Sequence, residues 1–598
     1  MKIVEANIIE FLEGKVQYQI PIYQRNYSWD KDDCKKLLND IIAVAEDEKR
    51  NHHFLGSIIY MSCDETQNIS ALKKCYVIDG QQRLTSLSLL LVALGDYAKE
   101  QLSEEEYSKS ELSFDALCED YLINPRYSDD DHYKVKLIDE DFVVYKSLLN
   151  NRKLPEGVTH SQIFNNYNIF LTLLRKSKVA PSTVFSGIKK LKIGDISLVA
   201  DDNAQLVFET VNSTGKSLSD SDKIRNFVLM NVEPSLQRKI YTDYWHPMEL
   251  QFGLDSQGTN NFEDFFHYYT GVISKTKIPK ESYYDIFKSY YLGLNSDETE
   301  KTVEEISRFA KYYKKLLVSS AASSGIEKLL YNIKSTRQLQ ETPAVLAIYD
   351  NYEQERLSYK DASKMLKLIE SYIVRRQLCG IPSNSTGEAY VTMLKNTDSL
   401  EKFIECLFNL TDKQRFPTDD ELYRVLRTAN IYEDFKGDVK ELLNRLEIYK
   451  NKDYIRTDSH TIEHIMPQTI VSHEDLYAKE NLSDEEKEKR DWAIDLGEEW
   501  KRISETYTHT IGNLTITGYN SELQNYRFKV KRDAEDESNG KRYGYKFTPI
   551  NISSSLSKLD TWGEEEILAR AKEMTDIIVK IWEYPVSPDN IGTRMQKQ

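Results

Sequence analysis

The chain has 598 residues, a formal net charge of −17 and a pI near 5.3. This length predicts more than one domain, because single hydrophobic cores stop growing beyond about 250–300 residues. No apolar run approaches the about 20 residues needed to cross a bilayer, and the N-terminus lacks the apolar core of a signal peptide. The acidic balance does not exclude a nucleic-acid ligand, because DNA binding requires only a local basic face.

The cysteines show no CxxC pair and no spacing typical of metal ligands. The six are Cys34, Cys63, Cys75, Cys118, Cys379 and Cys406. This pattern favours free thiols in a reducing compartment and argues against a structural zinc site. We therefore expect a cytoplasmic protein without a membrane segment.

The N-terminal region begins with a short extended segment, Ile20–Trp29. Asp30 is a suitable N-cap for a helix over residues 31–45. Strands are predicted at Phe54–Tyr60 and Cys75–Asp79, where β-branched and aromatic residues are concentrated. This part of the chain is therefore predicted to mix strands with helices.

The second of these strands runs into Gly80-Gln81-Gln82-Arg83 and then into a long apolar helix. Such a turn is predicted to bind an anion, because free backbone N–H groups and the positive end of the helix dipole point at it. The guanidinium of Arg83 adds several N–H hydrogen-bond donors, which suit a phosphate. Asp79 would hold a metal ion or orient water, and the two glutamines would bind phosphate or a base edge. The structural alternative is that Asp79 only caps the helix and Arg83 pairs with a surface acid.

Further motifs accompany this turn within the first 230 residues. They are Pro21, Gln24, Arg25, Tyr27 and Trp29, then Phe54 and Gly56, then Ile78–Arg83, and later Leu206–Gly215 with Lys216, Leu218 and Asp222. Their order resembles the N-terminal domain of GmrSD-type proteins. The resemblance implies a ParB-like α/β core that binds and hydrolyses GTP or ATP and senses modified DNA. It implies a nucleotide site formed by Asp79, Gly80, Gln81, Gln82 and Arg83, with Arg25 near the same pocket.

The middle of the chain, residues 236–450, repeats apolar residues at i, i+3 and i+4, which is typical of amphipathic helices. No fixed repeat period occurs, so a solenoid is not expected. We predict an all-helical connector that transmits nucleotide or DNA state to the last region. The predicted helices are Phe262–Ile273, Val303–Ser319, Thr342–Tyr352, Ala362–Leu378, Asp419–Arg427 and Val439–Tyr449.

The last region contains the residue types that hydrolyse phosphodiesters with one metal ion. Glu463 directly precedes His464, and Asn513 and Asn520 follow downstream. A neutral imidazole accepts a proton from water near pH 7, so His464 is the predicted general base. Mg²⁺ and Mn²⁺ prefer oxygen ligands, so Glu463 and Asn520 are the predicted metal ligands. Asn513 would hydrogen-bond locally and hold the His464 loop in place.

The segment after Asn520 is rich in basic residues. A continuous helix would place Asn520, Gln524, Arg527 and Lys531 on one face, which suits a DNA backbone. Asn525 would project from a different side and is the alternative metal ligand. The predicted DNA contacts are Arg527, Lys529, Lys531 and Arg532.

The pair Glu463–His464 and the downstream residues Asn513 and Asn520 together resemble the HNH (ββα-metal) nuclease motif, in the variant where Asn replaces the final His. Their order agrees with the HNH domain that ends GmrSD-family chains. The resemblance implies that His464 and Asn513 belong to the catalytic site. An acidic, lysine-rich insertion around Asn481–Arg502 departs from the motif and is predicted to be helical.

The prediction is thus an α+β multidomain chain. It comprises a ParB-like sensor (1–235), a helical connector (236–450) and an HNH nuclease (451–598). The resemblance implies a modification-dependent (type IV) restriction endonuclease that defends against phage, with nucleotide hydrolysis gating the cleavage of double-stranded DNA. Because an HNH site makes one cut, double-strand breaks would require a homodimer or two successive nicks. The alternatives are a phosphorothioate-sensing nickase, a nucleotide-dependent DNA-binding regulator with a degenerate nuclease site, and a toxin-type RNA nuclease.

Overall fold

The computed structural model describes most of the chain. The described residues are 1–62, 72–199, 202, 204, 206, 207, 210, 219–230, 232–252, 261–451, 453, 459–536 and 540–586, so most of the 206–218 motif lies outside them. By its packing, the chain divides into two compact units, Met1–Leu250 with Phe287–Glu304 and Gln251–Ile286 with Glu305–Gln598. These units are defined by contacts alone, and the functional division at residues 235 and 450 stays a prediction.

The first unit is built around a mixed sheet, which has six strands in the described residues. They are β1 (Lys2–Asn7), β2 (Val16–Gln19), β3 (His53–Ser62), β4 (Lys73–Asp79), β5 (Val135–Lys136) and β6 (Leu191–Leu198). The strand order is β1-β6-β3-β4-β2-β5. β1 pairs antiparallel with β6, as does β3 with β4, and the other neighbours are parallel. The two strands predicted from sequence are confirmed as β3 and β4.

Helices surround this sheet and continue through the rest of the first half of the chain. Asp30 caps Lys31–Glu46 as predicted, because its carboxylate accepts hydrogen bonds from the amides of Asp32 and Asp33. The α-helices up to residue 318 whose bounds lie in the described residues are Ile8–Glu13, Lys31–Glu46, Gln81–Gln101, Glu104–Ser108, Phe114–Leu117, Asp139–Asn151, Gln162–Ser177, Pro181–Lys189, Asp220–Met230, Pro234–Ile240, His246–Phe252, Asn261–Ser274, Tyr283–Tyr291 and Ser296–Val318.

The helix Gln81–Gln101 is buried on nearly every side. A helix that is apolar all round belongs in a core, and this one packs against Gln162–Ser177. Its burial holds the first helical turn at the carboxyl end of β4, where the predicted anion site begins.

The second unit is mostly helical. All six helices predicted for the middle of the chain are confirmed. Most of their ends shift by at most three residues, but the helix predicted to begin at Val303 begins seven residues earlier, at Ser296. The α-helices beyond residue 318 are Gly325–Lys334, Thr342–Glu353, Tyr359–Leu378, Gly387–Lys395, Leu400–Phe408, Asp419–Val425, Ile431–Asp434, Val439–Lys450, His473–Tyr477, Asp484–Arg490, Trp492–Leu496, Trp500–Tyr507, Asn520–Leu523, Phe528–Asp533 and Glu564–Ile581.

Two antiparallel strand pairs lie near the end of this unit. They are β7 (Thr461–His464) with β8 (Leu514–Thr517), and β9 (Glu535–Asp536) with β10 (Lys541–Arg542). The insertion between β7 and β8 is helical, as predicted. The last helix, Glu564–Ile581, packs against Val439–Lys450 and against the turn Ile511–Asn513 that leads into β8. This packing buries the turn that leads into β8 and so helps to fix the position of the strand pair.

In the described part of the chain, no helix is both long enough and apolar enough to cross a membrane. The cysteines there are free thiols, and Cys63 lies outside the described residues. The free thiols are Cys34, Cys75, Cys118, Cys379 and Cys406.

Candidate functional site

Gly80 forms the tight turn between β4 and the helix Gln81–Gln101. Its φ is 95°, a left-handed conformation that favours glycine. A Cβ at this position would lie 2.9 Å from the carbonyl oxygen of Ser57 and 3.1 Å from Cα of Ile58 in β3. Backbone strain and lack of space therefore both require glycine where the strand meets the helix.

We expect Gly80→Ala to destabilise the first unit more than Gly157→Ala does. Both glycines have positive φ, which costs a non-glycine residue about 1–3 kcal/mol. At Gly157 nothing lies within 4 Å of an added Cβ, so the contact of Gly80 with β3 accounts for the difference. Urea unfolding of the two variants side by side measures it. Equal losses would show that the contact with Ser57 is not a constraint.

The two glutamines of the turn hold a neighbouring loop, which sequence reasoning did not anticipate. Nε2 of Gln81 donates to the carbonyl of Arg25 at 2.9 Å, and Nε2 of Gln82 donates to that of Asn26 at 3.3 Å. Oε1 of Gln82 accepts from the backbone amide of Ser28 at 3.0 Å. The loop between residues 20 and 29 thus occupies both amide nitrogens and Oε1 of Gln82, while Oε1 of Gln81 is buried without a partner.

Residues from distant helices hold the same loop. Nδ2 of Asn166 donates to the Tyr27 hydroxyl at 3.0 Å and to the Trp29 carbonyl at 2.8 Å. The Tyr27 hydroxyl also lies 2.6 Å from that of Ser86, and the Tyr27 amide donates to Asp141. Sequence reasoning missed Asn166 and Asp141 because they lie more than one hundred residues away from the loop.

Arg25, Asp79 and Arg83 retain polar atoms for a ligand. The Arg25 side chain makes no hydrogen bond or ion pair with the described residues. Nη1 of Arg83 donates to the Ser57 carbonyl at 2.5 Å and lies 3.6 Å from the Asp79 carboxylate. Asp79 does not cap the helix, since Gly80 occupies the N-cap and no side chain caps it. The first-turn amides, Asp79 and Arg83 form a charged corner at the end of β4, and the backbone of Arg25 is held beside it by Gln81.

The second candidate site lies at the pair β7–β8. In the register of this pair, Glu463 is opposite Thr515, and His464 is opposite Leu514. Both Glu463 and His464 are buried, with 2% and 7% of their surfaces exposed. Because β8 lies between Asn513 and Asn520 in the chain, its pairing with β7 brings these two residues near Glu463 and His464.

His464 lies in a group of aromatic and polar side chains. Its Nε2 is 3.2 Å from Nδ1 of His509, and its Nδ1 is 3.2 Å from Nε2 of Gln468. The tautomer that satisfies both contacts carries the proton on Nε2 and leaves Nδ1 as an acceptor. Tyr432 packs edge-on against His464 and stacks on His509. Burial, with His509 and Lys531 nearby, lowers the pKa of His464 to about 4, so its imidazole is neutral at neutral pH.

Asn513 is fully buried and uses every hydrogen-bonding position of its amide. Oδ1 accepts from the Met466 amide at 2.8 Å and from Nε1 of Trp562 at 3.0 Å. Nδ2 donates to the carbonyls of Met466 and Thr508 at 2.8 and 2.9 Å. This geometry holds the residues just after His464, which is the positioning contact that the sequence predicts for Asn513.

Arg570 supports the same turn from the last helix and has no counterpart in the sequence prediction. Its Nη1 donates to the carbonyls of Gly512 and Leu514, on either side of Asn513, at 2.8 and 2.7 Å. Complete burial lowers its pKa to about 10. The amphipathic spacing of Glu564–Ile581 is the one sequence signal that places this side chain inward.

Lys531 is buried against Glu463, although a DNA contact was predicted for it. Its Nζ donates to Oε1 of Glu463 at 2.6 Å and to the carbonyls of His464 and Ile465 at 3.0 and 3.1 Å. The Tyr545 hydroxyl donates to the same carboxylate oxygen at 2.9 Å. With 1% of its surface exposed, Lys531 cannot reach a DNA backbone in this conformation.

Asn520 is tied to β7 by one side of its amide. Nδ2 donates to the Ile462 carbonyl at 2.8 Å, while Oδ1 accepts no hydrogen bond from the described residues. Oε2 of Glu463 likewise accepts none, because both of that carboxylate's contacts are made by Oε1. One amide oxygen and one carboxylate oxygen are the donors that Mg²⁺ or Mn²⁺ prefers. Each residue thus keeps one oxygen of the kind that the predicted metal ion prefers, although Lys531 already pairs with the Glu463 carboxylate, and the metal site stays a prediction.

The predicted continuous helix after Asn520 is wrong. The chain forms Asn520–Leu523 and Phe528–Asp533, separated by Gln524 with a φ of 45°. The ladder of helical hydrogen bonds stops there, so the four predicted residues do not share one face. Asn525 lies in the break, exposed, and its carbonyl accepts from Nε1 of Trp492.

The remaining predicted DNA contacts differ in what they already bind. Arg527 pairs with Asp495, and Arg532 pairs with Asp533 and Asp560. Lys529 is exposed and makes no ion pair or hydrogen bond with the described residues. Of the four cations, Lys529 is the one whose charge is available to a phosphate without breaking an internal pair.

Comparison with known protein families finds two matches on this chain. The family model for the GmrSD restriction endonuclease, N-terminal domain, matches residues 8–229. The model for the GmrSD restriction endonucleases, C-terminal domain, matches residues 416–577. The first match contains β4 and the Gly80 turn. The second contains β7, β8 and the side chains that contact His464, which are Tyr432, Gln468 and His509. Comparison with curated proteins gives no match.

Proposed function

This chain belongs to the GmrSD restriction endonuclease family, and from that premise we propose that it is a nucleotide-regulated, modification-dependent endonuclease acting on phage DNA. The observation that carries the proposal is the match of both family domains in order along one chain. Membership supports DNA cleavage in restriction defence. The substrate modification, nucleotide and reaction mechanism given below are our proposals.

The proposed nuclease has the HNH, or ββα-metal, fold. The antiparallel pair β7–β8 and the helix Asn520–Leu523 that follows it support this assignment. The C-terminal family match covers these elements. The proposed N-terminal core is ParB-like, supported by the resemblance of the Ile78–Arg83 motif and its neighbours.

In the proposed cleavage step, a water molecule gives its proton to Nδ1 of His464 while its oxygen attacks the phosphorus; the bond from phosphorus to one ester oxygen breaks, and that oxygen leaves and takes a proton from solvent. Gln468 now occupies Nδ1 and would move aside for the water. Burial keeps the imidazole unprotonated, so Nδ1 is available to accept the proton. Asn513 is a positioning residue, since it touches the backbone after His464. A Mg²⁺ or Mn²⁺ ion held by Glu463 and Asn520 would stabilise the charge that develops on the phosphate.

The proposed nucleotide site is the corner at Gly80. The uncapped first turn of Gln81–Gln101 offers backbone N–H groups and a positive dipole to the phosphates of GTP or ATP. Arg25 and Arg83 supply positive charge, and Asp79 would hold the metal ion or orient water. Gln81 and Gln82 contribute indirectly, by holding the loop that carries Arg25.

We expect Arg25→Ala to impair nucleotide hydrolysis with little loss of stability, because its side chain makes no hydrogen bond or ion pair with the described residues. The loss should be about tenfold or more in kcat/KM, as expected for a lost charge-assisted hydrogen bond of about 1.5–3 kcal/mol. Arg126→Ala, at an exposed arginine that makes no hydrogen bond or ion pair with the described residues, is the control. Phosphate release and urea unfolding measure the two quantities. Unchanged hydrolysis would remove Arg25 from the site.

The decisive experiment for the function is a cleavage matrix with Mg²⁺. Glucosylated, hydroxymethylated, phosphorothioated and plain double-stranded DNA are each incubated with and without GTP or ATP. Selective, nucleotide-dependent cutting of a base-modified DNA supports the proposal, and cutting of phosphorothioated DNA alone supports the nickase. Equal cutting of every DNA would retain the nuclease and remove the sensor. No cutting at all, with RNA cleaved instead, would overturn the proposal.

A further inference from the structure

A cavity of about 220 Å³ lies in the helical part of the second unit. Helices Asn261–Ser274, Thr342–Glu353 and Gly387–Lys395 contribute to its lining, and we call it the Tyr390 cavity. It lies outside both family matches and outside the two sites described above. Pockets for drug-sized ligands measure about 300–1,000 Å³. This smaller volume restricts the occupant to about one ring system.

The walls of the Tyr390 cavity are aromatic and aliphatic. Rings come from His267, Tyr268 and Tyr390, and aliphatic surface comes from residues such as Val391 and Leu394. The rings are held in place by their neighbours. Tyr390 packs edge-on against Tyr372 at 5.9 Å, and Tyr268 packs against His267 and Tyr313 at 5.4 and 5.6 Å. Fixed rings and aliphatic side chains are the surfaces on which nucleobases stack.

Polar groups without internal partners surround the same space. The hydroxyls of Tyr268 and Tyr390 make no hydrogen bond with the described residues. Gln340 is exposed to solvent; its Oε1 accepts from Thr386 at 2.9 Å, and its Nε2 donates to no described residue. Polar groups inside proteins are nearly all hydrogen-bonded, so the unpartnered hydroxyls of the two buried tyrosines favour a ligand with hydrogen-bonding groups.

Glu341, next to Gln340 in the chain, is a buried polar group that lies behind the lining of the cavity and does not form part of it. Its Oε2 is buried without a partner. Burial raises the pKa of this carboxyl to about 8, so it is protonated at neutral pH and able to donate. It is close enough to Tyr268 and Tyr390 to raise the pKa of both hydroxyls, in addition to the larger effect of their own burial.

Positive charge lies at the edge of the cavity. Lys277 is exposed and has no ion pair with the described residues, and its side chain runs over Gly387. A Cβ on Gly387 would lie 2.9 Å from Cδ of Lys277 and 3.3 Å from Nζ. Gly387 begins a nine-residue helix that no side chain caps. An ammonium beside the positive end of a helix is unfavourable alone and is stabilised by an anion.

We propose that the Tyr390 cavity binds a single nucleobase extruded from DNA, with an adjoining phosphate at Lys277 and the first turn of Gly387–Lys395. The proposal rests on the proposed function and names where the base is read. Enzymes that do chemistry on one base take it out of the stack into a closely fitting pocket, where stacking and hydrogen bonds recognise it, and a pocket of the same kind can serve to read a modified base. A free nucleotide has the same chemistry, and the test separates the two sources.

Two variants of the full chain test the cavity. Val391→Trp fills it from a partly exposed position, and Thr392→Trp adds the same bulk one residue further on, outside the lining. Lys277→Glu reverses the charge at the edge, and Lys360→Glu makes the same change at another exposed lysine. Lys277 is exposed, so we expect Lys277→Glu to fold, and it keeps the test valid if Val391→Trp does not.

The measurement is fluorescence anisotropy with two duplexes. One carries a single 5-hydroxymethylcytosine opposite an abasic site, which lowers the cost of extrusion, and the other is fully paired. We expect the unaltered chain and both controls to prefer the first duplex at least tenfold, and Val391→Trp and Lys277→Glu to lose that preference. A retained preference in Val391→Trp would overturn the proposal, as would its absence in the unaltered chain. Binding of 5-hydroxymethyl-dCMP as tight as that of the duplex would assign the cavity to a free nucleotide and overturn the DNA source.

Cleavage by the same preparations separates this proposal from the one on which it rests. If the unaltered chain cuts modified DNA while Val391→Trp keeps the full preference, the cavity is wrong and the endonuclease stands. If the unaltered chain cuts no DNA in the presence of Mg²⁺ and nucleotide, the proposed function itself fails.

Discussion

DNA cleavage is expected to fall by about 10²–10⁴-fold in His464→Ala, the range that a general base contributes. The imidazole is neutral and buried, and its Nδ1 is the acceptor in the tautomer that satisfies its two contacts. Alanine leaves no group there to take the proton from water. Nucleotide hydrolysis should be unchanged, because the proposed nucleotide site belongs to the first compact unit and His464 to the second.

The assay follows nicking of modified plasmid DNA alongside phosphate release from GTP or ATP. His52→Ala is the control, since His52 is exposed and makes no contact with the described residues. Full cleavage by His464→Ala would show that the base is another group. Loss of both activities in a folded variant would show that the two sites do not act separately.

The second large effect is expected for Lys531→Met. Lys531 and Glu463 form a buried ion pair, with 1% and 3% of their side chains exposed. Removing one partner of a buried pair costs about 3–5 kcal/mol, because the other charge is left uncompensated. The double variant Lys531→Met/Glu463→Gln should recover much of this loss, since it removes both charges. Hydrogen exchange of the β7 and β8 amides measures the opening free energy directly.

Lys529→Met is the matched control, two residues away in the same short helix. This side chain is exposed and unpaired among the described residues, so its stability effect should stay within about 0.5 kcal/mol. Its loss should instead weaken DNA binding and reduce the salt dependence by about one phosphate contact. If Lys531→Met weakened DNA binding without affecting stability, the buried pair would be refuted and the DNA contact predicted from sequence would stand.

Local signals in the sequence were sufficient for most elements. The middle helices follow from apolar spacing. The helix Lys31–Glu46 follows from that spacing and from Asp30, whose carboxylate accepts hydrogen bonds from the amides of the first helical turn. Strands β3 and β4 follow from runs of β-branched residues bounded by breaks. These signals succeed because each depends on neighbours within a few residues, where chain geometry leaves few alternatives.

The sequence also placed Glu463, His464, Asn513 and Asn520 in one group, since the motif order brings two strands together. Only the tertiary structure decided what Gln81, Gln82 and Lys531 contact. Their partners are 54 to 68 residues away, and helical spacing carries no information over such distances. The predicted exposure of Lys531 assumed one continuous helix after Asn520, and that helix ends at Gln524. The ammonium of Lys531 instead points inward to the buried carboxylate of Glu463. An unpaired buried carboxylate is costly, and that cost is what makes a lysine predicted for the surface an interior residue.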